Sequence, residues 1–183
     1  MEKNKFQLVF LYILLAFCSE IFTYDLSITI DISEQRLYVE ERDSILESFP
    51  ISTSKFGEGS VENSYKTPLG LHQIKEKIGS EVPENTIFIS RINTSRVANI
   101  IQLPIDSEED LVTSRILWLD GLEIGANKGP GIDTFKRYIY IHGTQEEGLI
   151  GQKASHGCIR MFNSDVVYLY ELVEKGTKVH IKA

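Results

Sequence analysis

Cysteine is scarce in this chain: there are two in 183 residues, at positions 18 and 158. Positive charge is in deficit as well, with 19 Lys and Arg against 26 Asp and Glu and a formal net charge of −7. The basic residues are scattered rather than clustered, which excludes the electrostatic footprint of a nucleic-acid binder. Internal repeats, low-complexity tracts and an interdomain linker are also missing, so one domain with one sizeable core is expected. No run of His, Cys, Asp and Glu has metal-ligand spacing, so neither a metal nor another cofactor is expected.

The one long apolar run lies at the start, in "MEKNKFQLVFLYILLAFCSE". Lys3 and Lys5 precede an apolar stretch from Phe6 to Cys18, the layout of a secretory signal and short for a membrane span. A retained anchor is the alternative. A lipoprotein signal ending on Cys18 is a third reading, with the bulky Phe17 against it. Residues 1–18 are therefore expected to be a signal peptide or N-terminal membrane anchor, and 25–183 a single exported domain in the periplasm or cell envelope. In that compartment Cys158 has no disulfide partner left. An unpaired exported thiol is a liability unless it is used.

Beyond residue 25 the chain reads mostly as β-structure. "LSITIDI" alternates apolar and polar residues, the signature of a half-buried strand. "QRLYVE" and "ILESFPIST" continue it as a meander, and "KTPLGLHQI", "TIFISRI", "SRILWLDGLEI", "RYIYIHG" and "KVHIK" add further strands. One stretch predicts a clear helix. In "NSDVVYLYELVEKG", Val166, Leu169, Tyr170 and Val173 share a face, Asn163, Ser164 and Asp165 offer N-cap chemistry, and Gly176 can close the end. "PIDSEEDLVTSR" is a candidate second helix, and the glycines of "EIGANKGPGID" mark a long loop of the kind that often carries function. A mostly-β, sandwich-like domain with one helix after Cys158 is expected.

Chemistry concentrates around Cys158, in "ASHGCIR". The thiolate is the nucleophile of a cysteine enzyme, so the thiol needs a base or a positive environment. His156 is near in sequence, but Gly157 predicts a turn that need not keep the two side chains on one face. His142 ends the strand "RYIYIHG" and is placed to project into a cleft, whereas His180 alternates as a surface residue and His72 has no partner the sequence nominates. Gly157 permits a positive φ, and turned N–H groups at 157–159 could form an oxyanion hole. Arg160 offers a bidentate donor for a substrate carboxylate, or a salt bridge. Residue types by themselves define a cysteine acyl-transfer or hydrolytic enzyme.

"HG" at 142–143 and "SHGCIR" at 155–160 together resemble the active-site signature of the L,D-transpeptidases, the YkuD-type catalytic domain of bacterial cell-wall enzymes. "LSITIDISEQRLYVEE", "FPISTSK", "KTPLGLHQI", "SRILWLDGLE" and "RYIYIHGTQEE" extend the resemblance over nearly all of the exported region. It implies a β-sandwich-like fold with Cys158 as nucleophile, His142 as general base and the Gly143 backbone carbonyl orienting the imidazole. Gly157 and Cys158 N–H groups are the candidate oxyanion hole, Ser155 and His156 would shape the pocket, and Arg160 would hold a substrate carboxylate. Relatives often have Ser or Thr where this chain has Gly143, a change that leaves a backbone contact intact. The implied partners are peptidoglycan stem peptides. The implied reaction is attack on the L-centre carbonyl of diaminopimelate with release of D-Ala, then transfer to an amine to give a 3→3 cross-link. Hydrolysis by the same site, as an L,D-carboxypeptidase or wall amidase, and a non-catalytic envelope-binding domain are the alternatives. Because the exported part is acidic, a local basic rim, drawn from Arg160, Lys136, Arg137 and Lys153, would have to meet the substrate's carboxylates.

Overall fold

A computed structural model describes residues 26–42 and 44–183. The expected signal or anchor at 1–18 lies outside the described residues. Among the described residues ten strands form one hydrogen-bonded sheet: β1 (Leu26–Asp31), β2 (Arg36–Glu41), β3 (Ser44–Ser52), β4 (Gly70–Ile78), β5 (Thr86–Ile89), β6 (Ile92–Val97), β7 (Val112–Gly121), β8 (Tyr140–Gly143), β9 (Ile159–Met161) and β10 (Lys178–Lys182). The one α-helix among the described residues, α1 (Asn163–Leu172), follows β9.

The strand order is β4-β10-β1-β2-β3-β9-β8-β7-β5-β6, and β7 pairs back onto β4. The sheet thus folds over on itself, the mostly-β, sandwich-like arrangement that the alternating sequence predicts. β1, β2 and β3 are the expected antiparallel meander. β10 slots between β1 and β4, parallel to the first and antiparallel to the second. Alternation decides which residues fill the interior: Ile28, Ile30, Leu37, Val39, Ile51, Ile74, Leu117, Leu119, Ile141, Ile159, Val179 and Ile181 come from alternate strand positions. Val166, Leu169 and Tyr170 of α1 pack onto them, so the helix is held by its apolar face.

Local details depart from expectation in four places. The helix ends at Leu172, and Gly176 lies beyond it in a separate turn with φ +93°. Its N-cap residue, Phe162, makes no side-chain cap, and the remote Glu147 Oε1 accepts the Asn163 N–H at 2.9 Å. Asn163 instead is buried and sends its amide to Thr144 O and Glu147 Oε1, while its Oδ1 accepts from Thr113 and Ser114. "TIFISRI" is not one strand: a two-residue turn at Ser90 and Arg91, both with positive φ, folds it into the β5–β6 hairpin. "PIDSEEDLVTSR" forms no helix. Ser107 N–H donates to Glu146 and Leu111 N–H to Gln145, and β7 begins at Val112.

Candidate active site

Parallel pairing of β8 and β9 sets Ile141 beside Ile159 and His142 beside Arg160. The isoleucines are fully buried in the core. Period-2 alternation then puts Tyr140 and His142 of β8 on the opposite face, together with Cys158, just before β9, and Arg160. The register therefore brings the thiol and the strand-end imidazole, sixteen positions apart in sequence, onto one surface of two neighbouring strands.

His142 Nδ1 lies 2.6 Å from the Gly143 carbonyl oxygen. A carbonyl can only accept, so Nδ1 carries the proton and Nε2 keeps its lone pair in the neutral ring. Burial pushes the His142 pKa down to about 4, against the opposing pull of Asp110 and of its bond to Gly143. Gly143 matters for a steric reason as well: a Cβ there would lie 2.4 Å from Asn163 Oδ1. That close approach leaves no room for a side chain at the position.

Cys158 is the free cysteine of the described chain, partly exposed and packed against Phe88, Ile116 and Tyr140. Its Sγ lies 3.4 Å from Tyr138 O and accepts from Tyr140 N–H at 3.3 Å, and no hydrogen bond joins it to His142. Burial pushes the thiol up to about 12; the Tyr140 N–H, Arg160 and Arg137 act in the other direction. Both shifts have the same cause, burial, and both favour the uncharged form, neutral imidazole and thiol.

The turn before β9 holds the thiol rather than the ligand. Ser155, with no exposed surface, donates to Cys158 O at 2.6 Å and accepts from Gly157 N–H at 3.3 Å. Buried and bonded on both sides, Ser155 does not present its hydroxyl to a ligand: it shapes the pocket by bracing the turn that carries Cys158. Gly157 has φ +119°, the left-handed region that favours glycine, and its carbonyl accepts from Thr67. His156 is half-exposed, beside Phe56 and Tyr65, and its Nδ1 lies 2.9 Å from Asp110. It lines a cavity of about 170 Å³ with Tyr65, Lys136, Arg137 and Tyr138.

Arg160 requires the larger correction. Its side chain is 1% exposed; Nη1 donates to the equally buried Glu146 at 2.7 Å, and Nη2 lies 2.7 Å from Asp110 Oδ1. Both carboxylates belong to the protein itself, so this guanidinium is committed internally and is not presented to a substrate carboxylate. Of the expected rim, Lys153 pairs with Glu58 and Arg137 donates to Gly59 O and Lys66 O. His180 is exposed on β10, as its alternation predicts. His72 is buried, with Nδ1 2.9 Å from Gly70 O and Nε2 3.2 Å from Thr134 Oγ1, and burial lowers its pKa to about 4.

Sequence reasoning missed Asp110 and Glu146, which complete the electrostatics of the face. Burial pushes Asp110 up, but the charge and hydrogen bonds of Arg160, with His142 and His156, outweigh it and hold its carboxyl below the usual value. Neither acid stands near the thiol in sequence. The one readable signal was the acidic density of "DSEED", which resembles any solvated turn.

An imidazole whose Nδ1 is held by a backbone carbonyl and a free thiol thus share one face of a neighbouring strand pair in a folded β-sheet. The L,D-transpeptidase catalytic domain (YkuD) matches residues 25–181, and the chain belongs to that family. It is 48% identical over 46 residues to the putative L,D-transpeptidase YkuD of Bacillus subtilis, covering 25% of this chain and 28% of that protein. Against the probable L,D-transpeptidase YbiS of Escherichia coli it is 46% identical over 43 residues, 24% of this chain and 14% of that one. The matched stretches thus span less than a third of these curated relatives. Among solved structures, an L,D-transpeptidase from Mycobacterium smegmatis superposes with a TM-score of 0.55 at 19% identity, over 87% of this chain and 59% of that one. L,D-transpeptidase 3 from Mycobacterium tuberculosis, in complex with a faropenem-derived adduct, gives 0.51 at 18% identity, over 87% and 60%. At these identities the superpositions establish the fold.

Proposed function

We propose that the chain is an exported peptidoglycan L,D-transpeptidase that works through a Cys158 thioester. The observation that carries this reading is the His142 geometry: with Nδ1 held by Gly143 O, Nε2 is the ring atom free to take the thiol proton. Rotation about the Cys158 Cα–Cβ bond swings Sγ away from Tyr138 O, and Nε2 accepts its proton as sulfur attacks the L-centre carbonyl of diaminopimelate in a tetrapeptide stem. The oxyanion is met by the Cys158 N–H and by the Gly157 N–H, which exchanges its long bond to Ser155 for the stronger charged acceptor. Imidazolium then protonates the departing D-Ala amine, the C–N bond breaks and the thioester remains. The D-centre amine of a second diaminopimelate attacks the thioester, loses its proton to His142, and expels the thiolate, leaving a 3→3 cross-link. Water in place of that amine would give the L,D-carboxypeptidase reaction.

Incubation with a disaccharide-tetrapeptide, and separately with a penem, tests this by mass spectrometry of the intact protein. A covalent adduct on the wild type and none on Cys158→Ser is expected, with cross-linked dimers in the product mixture. Adducts on neither protein would overturn acyl transfer and favour a binding domain, and trimmed monomers alone would replace transpeptidation with hydrolysis.

A further inference from the structure

Committing Arg160 to Glu146 and Asp110 leaves the proposed site without the cation that sequence assigned to it. The structure supplies another from the β5–β6 hairpin. Ser90 (φ 49°) and Arg91 (φ 69°) form a two-residue turn in which both residues are left-handed, a geometry normally given to Asn or Gly. Such backbone persists when its surroundings over-determine it, and it concentrates at functional positions. Here the Arg91 guanidinium lies 4.9 Å from the Trp118 ring centroid and 4.8 Å from that of Tyr138, and Nη1 donates to Tyr140 Oη at 3.1 Å. Trp118 is in turn fixed by stacking on Phe135 at 3.9 Å and by its Nε1–H bond to Phe135 O.

Two further facts point outward from this cage. Arg91, Tyr138 and Tyr140 line one cavity of about 340 Å³ with Phe88, Val112 and Ile116, and no carboxylate is among its walls. Among the described residues no Asp or Glu pairs with Arg91. The same two tyrosines touch the nucleophile through their backbones, Tyr138 O and Tyr140 N–H both meeting Cys158 Sγ. A planar cation held between aromatic rings keeps its remaining N–H donors in a fixed fork, the geometry that grips a carboxylate. We propose that Arg91 is the carboxylate anchor of this site, binding a free carboxylate of the peptide substrate in the cavity beside the thiol. The inference rests on the L,D-transpeptidase reading. The chemistry is shared by the donor's terminal carboxylate and by a carboxylate flanking the acceptor amine.

The test compares wild type with Arg91→Gln and Arg91→Lys. Acylation by the tetrapeptide is followed by mass spectrometry, and transfer by dimer formation, with each carboxylate in turn replaced by its amide. Arg91→Gln is expected to lower kcat/KM by about tenfold or more, mainly through KM, with partial recovery in Arg91→Lys. For the correct amide substrate the wild type falls to the level of the mutant, and whether this occurs with the amidated donor or acceptor identifies the carboxylate. If Arg91→Gln slows free-acid and amide substrates equally, or slows neither, the anchor role is overturned while the function stands. If the wild type forms no adduct with any stem peptide or penem, both are overturned.

Discussion

Arg160 and Arg91 occupy opposite situations around the same thiol. Arg160 is two positions from Cys158, sits on the inner strand β9, and is buried between Glu146 and Asp110. Arg91 comes from a distant hairpin, is half-buried against aromatic rings, and faces a cavity. The difference shows how little sequence proximity says about availability. β9 is a three-residue strand inside the sheet, so Arg160 inherits the interior, where a charge persists only if it is matched. A turn residue outside the layers has no such obligation, and can keep donors free.

Substitutions should separate the two. Arg160→Met removes the partner of the buried Glu146 and is expected to destabilise the fold by about 3–5 kcal/mol, read from urea unfolding. A loss below about 1 kcal/mol would mean the pair is hydrated and the contrast false. Arg91→Gln surrenders two cation–ring contacts and is expected to cost only about 1 kcal/mol by the same measurement, much less than its effect on turnover. Acid pH probes the buried side of the comparison independently. His142 and His72 both have folded-state pKa values of about 4, below the ordinary 6.5. As pH falls, the unfolded chain binds these protons first, so the stability present above 6.5 is lost between 6.5 and 4. The slope is about 1.4 kcal/mol per pH unit per histidine. Unfolding at pH 7 and pH 5 in wild type and His72→Gln should reveal half of that slope disappearing. Smallest of all, His156→Asn removes an exposed partner of Asp110 and should change stability by less than about 1 kcal/mol.

What was legible in the sequence is what alternation controls. "LSITIDI" became a strand because its period-2 pattern matches a layered core; of "RYIYIHG" only Tyr140–Gly143 is strand, Tyr138 lying in a turn with φ 57°, yet the same pattern singled out His142 as facing away from Ile141. Gly157 was readable because few other residues accept its φ. The failures share a cause. Nothing punctuates "TIFISRI" with Gly, Pro or Asn, yet tertiary packing of Arg91 bends it. Asn163 has N-cap chemistry, but Thr113, Ser114 and Thr144 compete for its side chain. The helical promise of "PIDSEEDLVTSR" yields to contacts with Gln145, Glu146 and Arg160. In each case the deciding partner is remote in sequence, so local propensity could not weigh it.

The position of β10 between β1 and β4 governs the order in which the molecule can be completed. Ser27 waits for Lys178, and Leu71 for His180. Until residues 178–182 have left the ribosome, two flanking strands present bare edges, and the interior lacks Val179 and Ile181. The pairings are strongly non-local, which slows closure further. A growing chain of this design stays open and threadable through synthesis, and locks only when its closing strand arrives. A version ending before residue 178 would keep both edges exposed, and would recruit other chains to fill the gap.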